Sequence, residues 1–146
     1  MKYGHIQNRM TRHFLIGASK DHVLTGVKQG IAQAGHGSKD FMSKPSKGDW
    51  IVYYSSKDKF EDGKTYQKFT AIGQISDDEP YQPDTQKKFK PYRRNADYKV
   101  CHEAEIRPLI EKLSFLKNKK RWGFYLMSGF KEISKDDFEV IKHAML

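Results

Sequence analysis

Cations and rings are interleaved through residues 84–99. Lys87, Lys88, Lys90, Arg93, Arg94 and Lys99 stand against two acids, Asp84 and Asp97, with Phe89, Tyr92 and Tyr98 among them. Such a run suits a polyanion that carries bases, since cations meet phosphates and rings stack on base faces. An edge strand with solvated lysines gives the same pattern, and the run alone does not separate the two. A second basic run, Lys117-Asn118-Lys119-Lys120-Arg121, leads into Trp122-Gly123. A tryptophan beside four cations serves equally well as a core anchor or as a stacking platform.

A third stretch, Gln33-Ala34-Gly35-His36-Gly37-Ser38-Lys39, has two glycines around one histidine. Glycines let a backbone approach a ligand closely, while Gln33 and His36 offer directional hydrogen bonds. A connector with an exposed histidine reads as well. The six histidines are scattered, with no paired His/Cys spacing for a metal and no P-loop or Gly-x-Gly-x-x-Gly. His22 and His36 can meet near Ser19, but a Ser/His pair without a positioned carboxylate is weak evidence for a nucleophile. Cys101 and His102 are neighbours and would point to opposite faces of a strand. Nothing in these residues demands catalysis, a cofactor or a metal.

These groups need a scaffold, and its centre is residues 48–75. Trp50, Val52 and Tyr54 alternate with Ile51, Tyr53 and Ser55, which predicts a strand covered on both faces. Tyr66 to Ile75 reads the same way. The polar link between them holds Asp62-Gly63, so the two strands pair as a long-looped hairpin. Gly73 predicts a bulge or bend. Upstream, His13 to Ala18 is a first strand and Ser19 an N-cap. Val23, Leu24, Val27 and Ile31 recur at helical spacing, with Gly30 at the helix stop. That turn aims free N–H groups at whatever lies beyond the strand end.

Downstream, Asp77-Asp78-Glu79 reads as a solvated acidic turn. Ile106, Leu109, Ile110 and Leu113 form a short helical face with Pro108 in its first turn. Phe124 to Ile133 predicts a last strand. Ser134 and Asp137 resemble a capping box before a terminal helix with Phe138, Ile141 and Met145 on its buried side. Strands and short helices mix without regular βαβ alternation, which argues against a doubly wound sheet and for an α+β fold.

The 146 residues suit one domain, assigned to 13–146. Residues 1–12 read as an N-terminal extension, disordered or a cloning remnant, with Met10 as an alternative start. Only 37% of residues are hydrophobic but 13% are aromatic, so the core is small and rich in rings. The net charge of +9 points to a polyanionic partner. A lone cysteine excludes an intrachain disulfide, no apolar run is long enough for a membrane span, and no secretion signal is evident, so the expected location is the cytoplasm.

An ordered series of motifs resembles the EVE domain family. It comprises Phe14-Leu15-Ile16-Gly17-Ala18-Ser19, Gly30 to Gly37, Lys47-Gly48-Asp49-Trp50-Ile51-Val52-Tyr53-Tyr54-Ser55, Phe69-Thr70-Ala71-Ile72-Gly73 and Phe89-Lys90-Pro91-Tyr92-Arg93-Arg94. Ile106-Arg107-Pro108-Leu109-Ile110, Leu113 to Lys119 and Trp122-Gly123 complete it. The resemblance runs from about Phe14 to the C-terminus. It implies a PUA-like bent, mixed β-barrel with flanking helices, the superfamily of the YTH and ASCH domains. It further implies binding of a modified base, notably of the 5-methylcytosine type, flipped into a small pocket in DNA or RNA. Carried over by motif, that pocket involves Ser19, Lys20, Gln33, His36, Tyr54 and Ser55. Ala32 stands where YTH domains have an aromatic cage residue, so the stacking face falls to Trp122 or Tyr92. The backbone contacts expected are Lys88, Arg93, Arg94, Lys119, Lys120 and Arg121. A single domain of this kind is expected to lend specificity to a partner nuclease or to work in modification-linked defence. Two other readings stand beside this one. An ASCH-like hydrolase of a modified nucleoside would start from Lys20 beside Ser19 and needs a carboxylate. A general RNA-binding PUA-like module would have no base pocket.

Overall fold

Alternating β-branched and aromatic residues build the central hairpin of a computed structural model that describes residues 10–146. Strand β3 (Trp50–Lys57) pairs antiparallel with β4 (Thr65–Ile75). The loop between them closes on Asp58, whose N–H donates to Lys64 O at 3.0 Å and whose carboxylate accepts from Lys64 N at 2.7 Å. Strand β1 (His13–Gly17) lies parallel to β3, and β7 (Phe130–Ile133) pairs antiparallel with β1. On the other side, β5 (Arg94–Tyr98) pairs with β4, and the two-residue β2 (Ile31–Ala32) pairs with β5. A short β6 (Ala104–Glu105) pairs with β4 at Lys68 and Phe69. The strand order is β2-β5-β4-β3-β1-β7. This mixed sheet curls into a half-barrel flanked by α1 (Lys20–Gln29), α2 (Lys39–Ser43) and α3 (Lys135–Met145).

The period of two in β3 divides the hydrophobic interior. Val52 and Tyr54 face a core with Leu15, Phe69 and Ile72, covered by α3 through Phe138, Ile141 and Met145 and by a 3-10 segment, Arg107–Lys112. Ile51 and Tyr53 face a second core with Phe14, Ile16, Val23, Met42, Ala71 and Ile75. Ser134 caps α3 by accepting from Asp137 N at 3.1 Å. The Asp137 carboxylate does not complete the box. It is buried and holds the loop before it, accepting from Ser114 N at 2.8 Å and Phe115 N at 3.0 Å.

Several expectations are altered by packing. Gly73 makes no bulge, because pairing continues through it; a Cβ there would lie 2.6 Å from Asp97 O, so the glycine admits the backbone of β5. The irregularities of the hairpin fall between Tyr53 and Tyr54 and between Ser55 and Lys57. The last strand begins only at Phe130. Residues Lys119–Leu126 form two short 3-10 turns across a kink at Arg121, and Trp122, Tyr125 and Leu126 pack on the first core at helical rather than alternate spacing. In α1 only Val23 is buried, while Leu24 and Val27 stay 53% and 36% exposed. Arg12, assigned by sequence to the extension, is tied into the fold: its N–H donates to Asp49 at 2.9 Å and its carbonyl accepts from Trp50. The expectation for the first nine residues lies outside the described residues.

A further alteration concerns charge. Asp77 is no solvated turn residue, and Arg94 is fully buried. Arg94 Nε donates to Asp77 Oδ1 at 2.7 Å, Nη1 to Met42 O at 2.9 Å and to Pro45 O, and Nη2 to Asp77 O at 2.9 Å. A planar fork with fixed donors satisfies these carbonyls in a way that a lysine ammonium would not. Removing one partner from a buried ion pair typically costs about 3–5 kcal/mol. Arg94→Ala should therefore lower the unfolding free energy by roughly 3 kcal/mol in urea titration. A loss below about 1 kcal/mol would mean the carbonyls find other donors.

Candidate functional site

The end of β1 and the start of α1 form one wall of a cleft. Gly17 N donates to Gly129 O at 2.8 Å and Ala18 N to Tyr54 O at 3.1 Å, which fixes the turn against both neighbours of β1. Ser19 takes the N-cap position with extended backbone, yet its hydroxyl does not cap. It donates instead to the carboxylate of Asp21. The same carboxylate accepts from His22 N at 2.9 Å and from Phe60 N at 3.2 Å, while Asp21 N donates to Asp58 O at 3.0 Å. Asp21 thus clamps the hairpin loop onto the first turn of α1. The Ser19 hydroxyl, followed by the Phe60 and His22 amides, pulls its pKa below the ordinary aspartate value. Phe60 is held at the mouth of the cleft while remaining 57% exposed. The His22 ring stacks on it at 5.1 Å and 19°, and the His36 ring meets it edge-on at 6.4 Å.

The opposite wall comes from β2 and the loop after it. The Tyr53 hydroxyl donates to Gln33 O and accepts from Gln33 N, both at 3.1 Å, and the Tyr98 hydroxyl donates to Ile31 O at 2.8 Å. Burial raises the pKa of both phenols, so they remain neutral donors. Gly35, His36 and Gly37 all have positive φ (54°, 57° and 84°). At Gly37 this conformation meets a close approach, since a Cβ would lie 2.2 Å from Pro91 Cβ. Gly37 O also accepts from Tyr92 N at 3.0 Å, which joins the glycine loop to the basic segment. That segment contributes Phe89, 64% exposed, and Arg93, whose Nε is buried with no hydrogen-bond partner among the described residues. Ser128 and Gly129 close the remaining side, and the cleft encloses about 730 Å³. Its walls combine ring faces, two carboxamides, several hydroxyls and one guanidinium. That set suits a flat, polar-edged, anionic ligand.

Of the residues expected at a pocket, Ser19, Gln33 and His36 line this cleft. The others lie elsewhere. Lys20 Nζ donates to Tyr66 OH at 2.7 Å and pairs with Glu103 at 3.1 Å, which raises its pKa and ties α1 to the sheet. Glu103, which also accepts from Tyr66 OH, is the carboxylate that a Lys20-based hydrolase needs. Yet a lysine with a raised pKa stays protonated and is no general base. Tyr54 packs against Phe69 on the other face of the sheet, and burial pushes its phenol up to about 12. Ser55 is buried 2.9 Å from the Thr70 hydroxyl. Tyr92 is half-buried beneath Lys39, and Trp122 lies against the first core with the Arg107 guanidinium 5.4 Å from its ring. Of the backbone candidates, Lys88, Lys120 and Arg121 are exposed, Lys119 donates to Leu113 O at 2.7 Å, and Arg94 is buried as described.

Tyr53 and Phe60 went unassigned by sequence, and Phe89 was read only as one ring of the basic run. For Tyr53 the signal was its alternation with Tyr54: the two cannot share a face. For Phe60 it was an apolar ring in an otherwise charged turn. Replacing Asp21 with Asn should speed hydrogen exchange at the Phe60 amide while changing global stability by less than about 1 kcal/mol, because the carboxylate is exposed. Because the folded pKa is depressed, the clamp holds fully above the ordinary aspartate value and is lost as pH falls through the lower folded value. Phe60 protection should accordingly persist at neutral pH and vanish only below about pH 4.

Comparison with known proteins agrees with this architecture. The EVE domain model matches residues 12–144. A UPF0310 protein of Mycolicibacterium vanbaalenii is 48% identical over 128 residues, covering 88% of each chain. UPF0310 protein YdcG of Bacillus subtilis is 40% identical and covers 93% of this chain and 94% of its own. Among solved structures, protein Atu2648 from Agrobacterium tumefaciens superposes with a TM-score of 0.54 at 10% identity, covering 92% of this chain and 93% of its own. Rpa0253 from Rhodopseudomonas palustris gives 0.52 at 16%, covering 92% of both chains. Those two likenesses speak to the fold, whereas the family match and the UPF0310 relatives span nearly the whole sequence. The chain belongs to the EVE domain family.

Proposed function

We propose that this protein binds nucleic acid without catalysing a reaction on it and holds one modified base, of the 5-methylcytosine type, in the cleft beneath Phe60. The observation that carries this reading is the join of an exposed, fixed ring to a polar interior. Phe60 is stacked with His22 and flanked by His36, and the cleft wall also carries Gln33 and Arg93. The net charge of +9 supplies the sequence-independent attraction.

The magnitudes are compatible with a reader. Extruding a base from a duplex costs a few kcal/mol. Stacking on one ring returns roughly 1–3 kcal/mol, and contacts to phosphates supply the remainder. A methyl group in an apolar niche adds about 1 kcal/mol, so discrimination by the methyl alone is several-fold.

The test is a fluorescence-anisotropy titration of labelled duplexes, cytosine against 5-methylcytosine, at one salt concentration. The methylated duplex should bind about five- to tenfold more tightly. Phe60→Ala should weaken its binding by roughly five- to a hundredfold. Equal affinity for both duplexes with an unaffected Phe60→Ala variant would leave only a general, salt-dependent nucleic-acid binder.

A further inference from the structure

Two large apolar side chains beside the cleft are left in solvent. Phe124 is 69% and Met127 80% exposed. Both belong to the turn that delivers Ser128 and Gly129 to the cleft wall. Met127 N donates to Phe124 O at 3.3 Å, the closure of a 3-10 turn. In that conformation residues i and i+3 eclipse, so the two side chains share one side of the turn. The turn itself is firmly held. Asn118 N donates to Tyr125 OH at 3.1 Å, Lys131 Nζ to Tyr125 O at 3.0 Å, and Gly17 N to Gly129 O. Trp122, Tyr125 and Leu126 pack on the core, and the Phe124 ring rests edge-on against Tyr125. Phe124 and Met127 are therefore projected by a braced segment. The same segment begins with Lys117, Lys119, Lys120 and Arg121, a cationic flank that suits phosphates and opposes burial against a neutral protein surface.

We propose that Phe124 and Met127 form a wedge that enters the base stack of duplex DNA and fills the gap left by the base taken into the cleft. The inference rests on the base-reading function above and adds its duplex partner and the device that opens it. A base pair cannot be broken without losing stacking on both sides. An apolar side chain inserted at that step recovers part of the loss and stops the base from returning. Phe124 offers a ring for the neighbouring base, and Met127 a flexible thioether that adapts to the irregular gap. Lys120 and Arg121 hold the adjoining backbone.

The experiment compares wild type, Phe60→Ala and the double variant Phe124→Ala/Met127→Ala. Three probes are used: a duplex with one 5-methylcytosine, the same strand unpaired, and the duplex with 2-aminopurine next to the target base. Both wedge residues are exposed, so the double variant should keep its circular dichroism and melting temperature. Its affinity for the duplex should fall about tenfold or more, with the single strand bound as before, because only the duplex requires unstacking. The 2-aminopurine emission that rises with wild type should stay low. Equal losses on duplex and single strand, or no loss on either, would overturn the wedge while a Phe60→Ala defect on both left base reading intact. Phe60→Ala without effect on any probe would overturn the reading itself, and the wedge with it. Sedimentation is the remaining check. A wild-type dimer that the double variant dissociates, with duplex binding unchanged, would assign the patch to self-association and refute the wedge.

Discussion

Strand β3 must be covered on both faces, and the arrangement of the molecule follows from that requirement. Its eight residues carry apolar and aromatic side chains in both directions. Strand β1 lies beside it in parallel, which obliges the chain to leave the sheet and cross over before returning. The crossover is α1, β2, the glycine loop and α2, and these cover the face of Ile51 and Tyr53. The other face, with Val52 and Tyr54, receives the 3-10 segments and α3. The crossover does not fill its side completely. Only Val23 of α1 is buried, and β2 contributes two residues, so a cleft remains where the helix and the loop part. The candidate site is thus the unfilled portion of one hydrophobic layer, walled by the elements that cover the rest.

Carboxylates brace the loops around this frame. Asp21 takes the amides of His22 and Phe60, Asp77 that of Asn95 along with the Arg94 guanidinium, and Asp137 those of Ser114 and Phe115. Asp49 takes the amides of Arg12 and Ser46. A charged acceptor for a backbone donor is stronger than a neutral one, so irregular segments acquire fixed positions without regular secondary structure. There is a second consequence for the surface. The chain has 18 acids against 27 lysines and arginines, and several acids are engaged with backbone amides. Of the four, Asp49 and Asp137 are withdrawn from the surface, while the chain keeps an excess of +9 that favours a polyanionic partner.

The cleft couples rigidity to exposure. Phe60 is exposed yet held by its backbone amide, and Gln33 is held by the Tyr53 phenol at both its N–H and its carbonyl. Rings and polar groups fixed in advance lose little entropy on binding, which favours affinity in a cleft of this size. The 3-10 turn at Phe124 and Met127 has the same character, braced from below and bare above.

Much of the frame was legible in the chain itself. The hairpin at residues 48–75, the first strand, the helix ended by Gly30 and the capped terminal helix all follow from local periodicity and terminal signals, which depend on neighbours in sequence. So does the two-faced burial of β3, and with it the fact that Tyr53 and Tyr54 cannot both reach one pocket. Motif order placed the chain in its family. Which face of β3 would carry the cleft was decided only by the crossover, through contacts between residues far apart in sequence. The same is true of Arg94, which charge pattern assigns to the surface and Asp77 draws inside. It is true of Trp122, whose half-buried ring packs against the first core and away from the cleft. Phe60 is the clearest instance: its fixed position depends on one carboxylate, 39 positions earlier, that bonds its amide. Sequence determined which residues form strands and helices because those choices are local; tertiary structure decided which rings face solvent, because burial is settled by what packs against them.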